Sequence, residues 1–275
     1  MEKKSLSLNE KLELLKSNIS ELKEAAVAFS GGVDSTFLLK VTHEVLGSKA
    51  LAVTIKASMV PESEINYCRD FTKKYNIKHE IIEADFRDIR GFAENPKDRC
   101  YICKKHLFGL IVNKAAQYRI QNILDGSNVD DMGDYRPGMK ALEELGIISP
   151  LRNAGMTKAD VRLLSKEMGL ETWNKPAYAC LASRIPYGQE ITENKLKMVY
   201  EAEKYLMDMG FKQVRVRHHG DMARIEVPSE DRARFYDMQL MDIINDKFRE
   251  IGFVYTALDL KGYRTGSMNE AILRR

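Results

Sequence analysis

The stretch Ala25-Ala26-Val27-Ala28-Phe29-Ser30-Gly31-Gly32-Val33-Asp34-Ser35-Thr36 decides the fold. Its apolar opening, Ala25 to Phe29, is too short for a helix and predicts a strand buried on both faces of a parallel sheet. The glycines that follow let the backbone turn tightly and aim successive N–H groups at an anion. A helix predicted over Asp34–Leu46 adds the positive end of its dipole. Ser30, Ser35 and Thr36 bring hydroxyls to the same place. The carboxylate of Asp34, repulsive to phosphate by itself, points to a bridging Mg2+. With Gly31 and Gly32 these residues form an expected ATP phosphate site. The loop matches neither G-x-x-x-x-G-K-[ST] nor G-x-G-x-x-G.

Upstream, Leu12, Leu15, Ile19 and Leu22 recur at helical spacing over 6–23. Downstream, Ala50–Ile55 and His79–Glu83 read as strands around a helix over Pro61–Tyr75. A helix over Tyr101–Tyr118 leads to a fourth strand, Ile120–Leu124, which ends at Asp125-Gly126-Ser127-Asn128. Four strands interleaved with helices predict an α/β fold with a doubly wound parallel sheet. Ligands of such sheets sit at the carboxyl ends of the strands, which adds Gly126 to the expected nucleotide site. After Pro186-Tyr187-Gly188 the pattern changes to a helix over Thr192–Met209, strands at Gln213–His218 and Ala223–Val227, a helix over Ser229–Arg249 and a strand at Phe253–Leu258. This is a small α+β domain, so the expected boundaries are 1–188 for the ATP-binding domain and 189–275 for the second.

The chain has 275 residues, 44% of them hydrophobic and 30% charged, as expected of a folded protein with room for two domains. Its 43 basic residues nearly balance 40 acidic ones, and a net charge of +3 predicts no nucleic-acid partner. No apolar run approaches the roughly 18 residues of a membrane helix, and the N-terminus leads into an amphipathic segment, so a cytoplasmic protein with no membrane partner is expected.

Four cysteines are too few for a disulfide scaffold, and their spacing carries the information. Cys68, mid-helix between Tyr67 and Arg69, reads as a small buried residue. Cys100-Tyr101-Ile102-Cys103 opens a predicted helix and can point two sulfurs the same way. Zinc, an iron–sulfur cluster, redox exchange and plain burial are all open for that pair. Cys180 lies in an aperiodic segment read as a loop; three thiolates at one site would suit a 4Fe–4S cluster with an open iron. Arg215 and Arg217 alternate with valines on a strand, so both guanidinium groups leave one face while Val214 and Val216 pack on the other. Paired arginines suit phosphate. Charged residues alternating on a strand also read as a solvated face. His218 and His219, as neighbours on a strand, face opposite sides and do not form a metal pair.

The run Ser30–Thr36 resembles the PP-loop of the ATP pyrophosphatases, which cleave ATP between its α and β phosphates. The resemblance implies pyrophosphate in the loop and a substrate oxygen that becomes adenylated. Together with Asp134-Tyr135-Arg136-Pro137-Gly138, the segment from Cys180 to Gly188, Val214-Arg215-Val216-Arg217 and Ala223-Arg224-Ile225-Glu226, the loop is similar to the LarE family. Those enzymes are the sulfur transferases of nickel-pincer cofactor synthesis for lactate racemase. The likeness spans nearly the whole chain. It implies adenylation of the carboxylates of pyridinium-3,5-biscarboxylic acid mononucleotide and their conversion to thiocarboxylates. It implies Ser183, Arg184, Arg215 and Arg217 at the substrate phosphate, with Glu203 and Glu226 as acidic neighbours. It implies that Cys100, Cys103 and Cys180 hold a sulfide-carrying 4Fe–4S cluster fed by a sulfide donor. In the sacrificial members, Cys180 alone would give up its sulfur. A homo-oligomer, hexameric in one form, is also implied, with the second domain carrying oligomerisation. A tRNA thiolation enzyme and a non-catalytic nucleotide- or metal-binding module stay open as alternatives.

Overall fold

The computed structural model describes residues 6–57, 60–133, 137–176, 180–264 and 267. The motif residues Asp134, Tyr135 and Arg136 lie outside the described residues, as do Ala177, Tyr178 and Ala179 before Cys180. The chain divides into two compact units, residues 1–90 with 98–177, and residues 91–97 with 178–275. The sequence places the boundary at 188. The structure divides the chain before Cys180, and Asn95 shows why 91–97 joins the second unit. Its side-chain amide donates to the carbonyls of Ile185, Pro186 and Gln189 at 3.2, 2.8 and 2.9 Å, while its own carbonyl accepts from the Gly188 amide.

The first unit opens with α1 (Leu8–Ser20), started by a capping box between Ser7 and Glu10. There follow β1 (Ala25–Ala28), α2 (Val33–Leu46), β2 (Ala50–Ala57), α3 (Glu62–Lys74), β3 (Lys78–Ala84), α4 (Arg99–Gln117) and β4 (Ile123–Leu124). The strands form one parallel sheet in the order β3-β2-β1-β4. β1 is apolar throughout because both its faces are covered. Ala25, Val27 and Phe29 pack with Leu15, Ile19, Phe37 and Leu164 on one side. Ala26 packs with Leu51, Val53, Ile111 and Ala115 on the other. The doubly wound α/β fold expected from the sequence is therefore present.

Two details differ from the expected elements in this unit. The strand read over Ile120–Leu124 pairs only at Ile123 and Leu124, and just before them the side chain of Asn122 donates to the carbonyls of Leu22 and Glu24. Residues 137–167 supply three helices that the sequence reading did not place: α5 (Pro137–Glu144), α6 (Pro150–Asn153) and α7 (Lys158–Glu167).

In the second unit α8 (Glu193–Asp208) leads to β5 (Arg215–His219) and β6 (Met222–Glu226), and α9 (Met238–Ile251) connects β6 to β7 (Tyr255–Leu258). The sheet order is β5-β6-β7, antiparallel then parallel. Val214, Val216, Ala223 and Ile225 face a core completed by Leu206, Phe211, Phe235, Ile244 and Phe248. The single helix read over Ser229–Arg249 is two elements. A 3-10 segment over Ser229–Tyr236 gives way to α9 at Asp237, whose carboxylate accepts from the amides of Gln239 and Leu240 and so starts a new helix.

Phe248 is fully buried in this second core. Phe248→Ala is expected to destabilise the protein by about 3–5 kcal/mol in urea unfolding followed by circular dichroism. Tyr236→Ser, at a position 87% exposed, should stay within about 0.5 kcal/mol of the parent.

Candidate active site

β1 has β2 on one side and β4 on the other, so the order of strands reverses between β1 and β4. The carboxyl ends of these two strands flank the crevice where doubly wound sheets bind ligands. From β1 the chain enters Ser30-Gly31-Gly32. Gly31 adopts φ +72°, and a Cβ there would stand 3.1 Å from both Cys68 Sγ and Tyr67 Cδ1. Gly32 caps α2 without a side-chain hydrogen bond, which leaves the first-turn amides for a ligand.

Ser35 ties the loop to itself. Its Oγ accepts from the Ser30 amide at 3.3 Å, donates to the Gly32 carbonyl at 3.2 Å and lies 3.1 Å from Ser30 Oγ. Ser30 is exposed. Thr36 is fully buried with its hydroxyl beside the Tyr67 phenol, which turns it toward the core. Gly126 is held by close approach: a Cβ on it would meet Ser35 N at 3.0 Å and Asp34 C at 3.2 Å. The β4 turn therefore presses on the first turn of α2.

Behind the loop, Thr54 Oγ1 donates to the Phe29 carbonyl at 2.7 Å, and His79 lies between the hydroxyls of Thr54 and Thr72 at 2.8 and 3.0 Å. Burial pushes the His79 pKa down to about 4, so the ring is neutral. Burial likewise pushes the Cys68 thiol up to about 12, so Cys68 packs under the loop and is no nucleophile.

Asp34, on the first turn of α2, accepts from Asn128 Nδ2 at 3.2 Å through Oδ1 and pairs with Lys158 Nζ through Oδ2. Lys175 Nζ donates to the Gly31 carbonyl at 3.1 Å and to Glu64 at 2.6 Å. Asp125, buried at the end of β4, accepts from the hydroxyls of Ser127 and Ser149. One carboxylate plus phosphate oxygens is an ordinary donor set for Mg2+, so Asp34 fits the ion provided that Lys158 gives way. The sequence reading did not find Lys158 or Lys175, which lie 124 and 144 residues from their partners in the loop. Asp125 and Asn128 carried a signal, since both follow β4 beside Gly126.

Cys100 and Cys103 sit one turn apart at the start of α4, exposed and half-buried, as their spacing predicts. Soft thiolate donors at that spacing suit iron or zinc. Cys180 is exposed and belongs to the second unit. Among the described residues, no three His, Cys, Asp or Glu side chains gather as a metal ion would require, so neither unit holds a three-cysteine set of its own.

Cys180 stands just before a 3-10 turn over Leu181–Arg184. Arg184 is fully buried; Nε and Nη2 donate to the two oxygens of Glu203, each at 2.8 Å, and Nη1 donates to the Cys180 carbonyl at 3.1 Å and Ser183 Oγ at 3.0 Å. Glu203 Oε1 also accepts from the Val216 amide at 2.9 Å. Arg217 donates to the Ser183 carbonyl at 3.1 Å, to Glu226 at 2.7 Å and to Ser267 at 2.9 Å. Arg224 joins the other oxygen of Glu226 at 2.9 Å. Arg215 donates to the Val214 carbonyl at 2.7 Å, and burial, with Arg184 nearby, lowers its pKa.

This arrangement corrects the solvated-face reading: Glu203 and Glu226 are 1% and 0% exposed and bind arginines in the protein interior. Among the described residues, Arg184 pairs with Glu203, Arg217 and Arg224 pair with Glu226, and Arg215 lies near Arg184. Asp259 pairs with Arg264 at 3.5 Å and with Arg224 at 3.6 Å. Guanidinium groups gathered in one place suit a phosphate. His218 packs on Phe253 in the core, ring centres 5.4 Å apart, while His219 lies on the arginine face, as their alternation predicts.

A doubly wound sheet whose first strand–helix turn offers uncapped amides, serine hydroxyls and an aspartate defines an ATP-using PP-loop enzyme, and residues 4–107 match the PP-loop domain family. The chain is 40% identical over 269 residues to an uncharacterised protein of Synechocystis sp., covering 97% of this chain and all of that protein. It is 37% identical over 258 residues to the pyridinium-3,5-bisthiocarboxylic acid mononucleotide synthase of Lactiplantibacillus plantarum, covering 93% and 92% of the two chains. An uncharacterised protein of Methanocaldococcus jannaschii is 31% identical over 264 residues, with 93% and 98% covered. The chain belongs to the family of the pyridinium-3,5-bisthiocarboxylic acid mononucleotide synthases and is an ATP-using sulfur transferase.

Gly126→Ala is expected to weaken ATP binding by about tenfold or more in calorimetry, because the added methyl meets backbone and not a yielding side chain. The depressed pKa of His79 means that the unfolded chain binds the extra proton first. Stability should hold above pH about 6.5 and decline as the pH falls toward about 4, and His79→Gln should flatten that part of the profile in urea unfolding.

Proposed function

We propose that the first unit uses ATP to adenylate the carboxylates of pyridinium-3,5-biscarboxylic acid mononucleotide, and that the second unit binds the phosphate of this substrate and presents the thiol that replaces AMP. The product is the bis-thiocarboxylic acid that serves the nickel-pincer cofactor of lactate racemase. One observation carries the reading. The exposed Cys180 stands just before the turn whose Ser183 and Arg184 are tied into a buried cluster of arginines. The product named for the 37% identical Lactiplantibacillus plantarum enzyme is a bis-thiocarboxylic mononucleotide, which such a cluster would hold by its phosphate.

A carboxylate oxygen attacks the α phosphorus, and the bond to pyrophosphate breaks with the electron pair leaving on pyrophosphate. The loop amides of α2 and the hydroxyls of Ser30 and Ser35 hold the departing phosphates. A sulfur nucleophile then attacks the acyl carbon, and AMP leaves with the pair from the C–O bond. If that sulfur is the Cys180 thiolate, loss of its α proton and cleavage of its Cβ–S bond release the thiocarboxylate and leave dehydroalanine. Cys100, Cys103 and Cys180 would hold a 4Fe–4S cluster, which when bound would supply an exchangeable sulfide in place of the cysteine sulfur.

Intact-protein mass spectrometry after turnover separates the two sources. A loss of about 34 Da at Cys180, the sulfur having left in the thiocarboxylate and the cysteine having become dehydroalanine, marks the sacrificial route. An unchanged mass, with iron and sulfide in anaerobic protein that disappear in Cys100→Ala or Cys103→Ala, marks the cluster route. In both, Cys180→Ala should keep pyrophosphate release with the pyridinium carboxylate and lose the thiocarboxylate. Absence of pyrophosphate release with that substrate would overturn the reading, and tRNA binding with steep salt dependence would favour the tRNA thiolation alternative.

A further inference from the structure

Behind the phosphate loop the buried polar groups form a line that reaches from α3 to the exit of β1. The register sets His79 of β3 opposite Ala52 of β2, so Thr54, two residues further on, lies on the same face as the ring. Thr54 Oγ1 is 2.7 Å from the Phe29 carbonyl and 2.8 Å from His79 Nε2, and His79 Nδ1 is 3.0 Å from Thr72 Oγ1. Each hydroxyl has one hydrogen and the neutral ring has one, so these contacts admit two arrangements. In the first, Nδ1 carries the ring proton and Thr54 donates to Nε2, which leaves the buried Phe29 carbonyl to Cys68 Sγ at 4.0 Å. In the second, Thr72 donates to Nδ1, Nε2 donates to Thr54, and Thr54 donates to the Phe29 carbonyl. The Cys68 carbonyl, which Thr72 also approaches at 2.8 Å, keeps the amide of its own helix in both. Only the second arrangement leaves none of these groups short of a partner, and it fixes the direction of every bond.

We infer that this relay, from Thr72 through His79 to Thr54, holds the peptide between Phe29 and Ser30 in the orientation that phosphate binding needs, with Thr54 and His79 as positioning residues. The inference rests on the reading that Ser30–Thr36 binds the phosphates of ATP. In a trans peptide the carbonyl and the N–H point opposite ways. Thr54 draws the Phe29 carbonyl into the core, so the Ser30 N–H faces the loop, where it donates to Ser35 Oγ at 3.3 Å. Ser35 in turn donates to the Gly32 carbonyl at 3.2 Å. The hydrogen bonds therefore run in one sense from α3 into the loop, and bonds aligned in this way polarise one another. A reversed peptide would set the Phe29 oxygen against the phosphate oxygens and withdraw the hydrogen that Ser35 receives. Gly31, at φ +72° and without a Cβ, offers little resistance to such a turn, so the orientation has to be held from outside the loop.

The test uses the full chain, with inorganic pyrophosphate as the probe in calorimetry well below the melting temperature of each protein. Thr54→Val removes the donor to the Phe29 carbonyl and should weaken binding about tenfold or more, whereas Thr54→Ser keeps the hydroxyl and should stay within about twofold of the parent. His79→Leu should weaken binding roughly threefold, and His79→Gln, whose side-chain amide still donates to Thr54, should recover most of that loss. Added to Thr54→Val, His79→Leu should cost nothing further, because the ring acts through the hydroxyl. Residues with a purely structural part would lower the melting temperature and leave the affinity of the folded protein unchanged, which overturns the inference. The parent supplies a readout that needs no variant to fold. In protein labelled with heavy nitrogen at histidine, NMR should show the His79 proton on Nε2; a proton on Nδ1 reverses the line of bonds and overturns the inference. Failure of the parent to bind either pyrophosphate or ATP would remove the loop reading beneath it. Binding by the parent with Thr54→Val silent would remove the inference alone.

Discussion

The first unit depends on how the chain leaves β1. A strand covered on both faces cannot turn aside gradually, so the reversal into α2 is made within Ser30-Gly31-Gly32, through the positive φ of Gly31. That turn fits because Cys68 and Tyr67 fill the space beneath it and Gly126 lets the end of β4 press from the side. With no side chain capping α2, the amides at its start stay available. The fold thus forgoes a side-chain cap, worth a few tenths of a kcal/mol over glycine, and leaves those amides to a bound anion.

The second unit depends on charge placed where water does not reach. Buried ion pairs are weak contributors to stability, since desolvation offsets most of their attraction. What the arginine–glutamate cluster does provide is position. The carbonyls of Cys180 and Ser183 are each held by a guanidinium group, so the turn carrying the thiol is fixed by bonds that run to α8, β5 and β6. The thiol itself is exposed. A fixed backbone with an accessible sulfur is the combination that acyl transfer requires.

Much of this was legible in the sequence because it was local. The apolar run Ala25–Phe29 could only be a doubly covered strand, and the alternation Val214-Arg215-Val216-Arg217 assigned its two faces correctly. Burial of the charged face was less accessible, because period two says which residues share a face and nothing about what covers it. Glu203, on a helix, and Glu226, on a strand, meet their arginines only after folding. The break at Asp237 was hidden inside an unbroken helical pattern, where an aspartate that starts a helix looks like one that decorates it. Lys158 and Lys175 were beyond reach for a plainer reason: pairing across more than a hundred residues leaves no periodic trace.

Glu203 shows how narrow the choice of side chain can become. Its Oε1 receives hydrogens from both Arg184 Nε and the Val216 amide, and its Oε2 receives another from Arg184. Each contact needs an acceptor. Glutamine of the same shape would direct its own N–H groups against a donor on one side or the other, and aspartate falls one methylene short of bridging α8 to β5. A helix position that looks freely variable from its neighbours in the sequence therefore tolerates a single residue type, and sequence drift at this point is closed by stereochemistry before any question of catalysis arises.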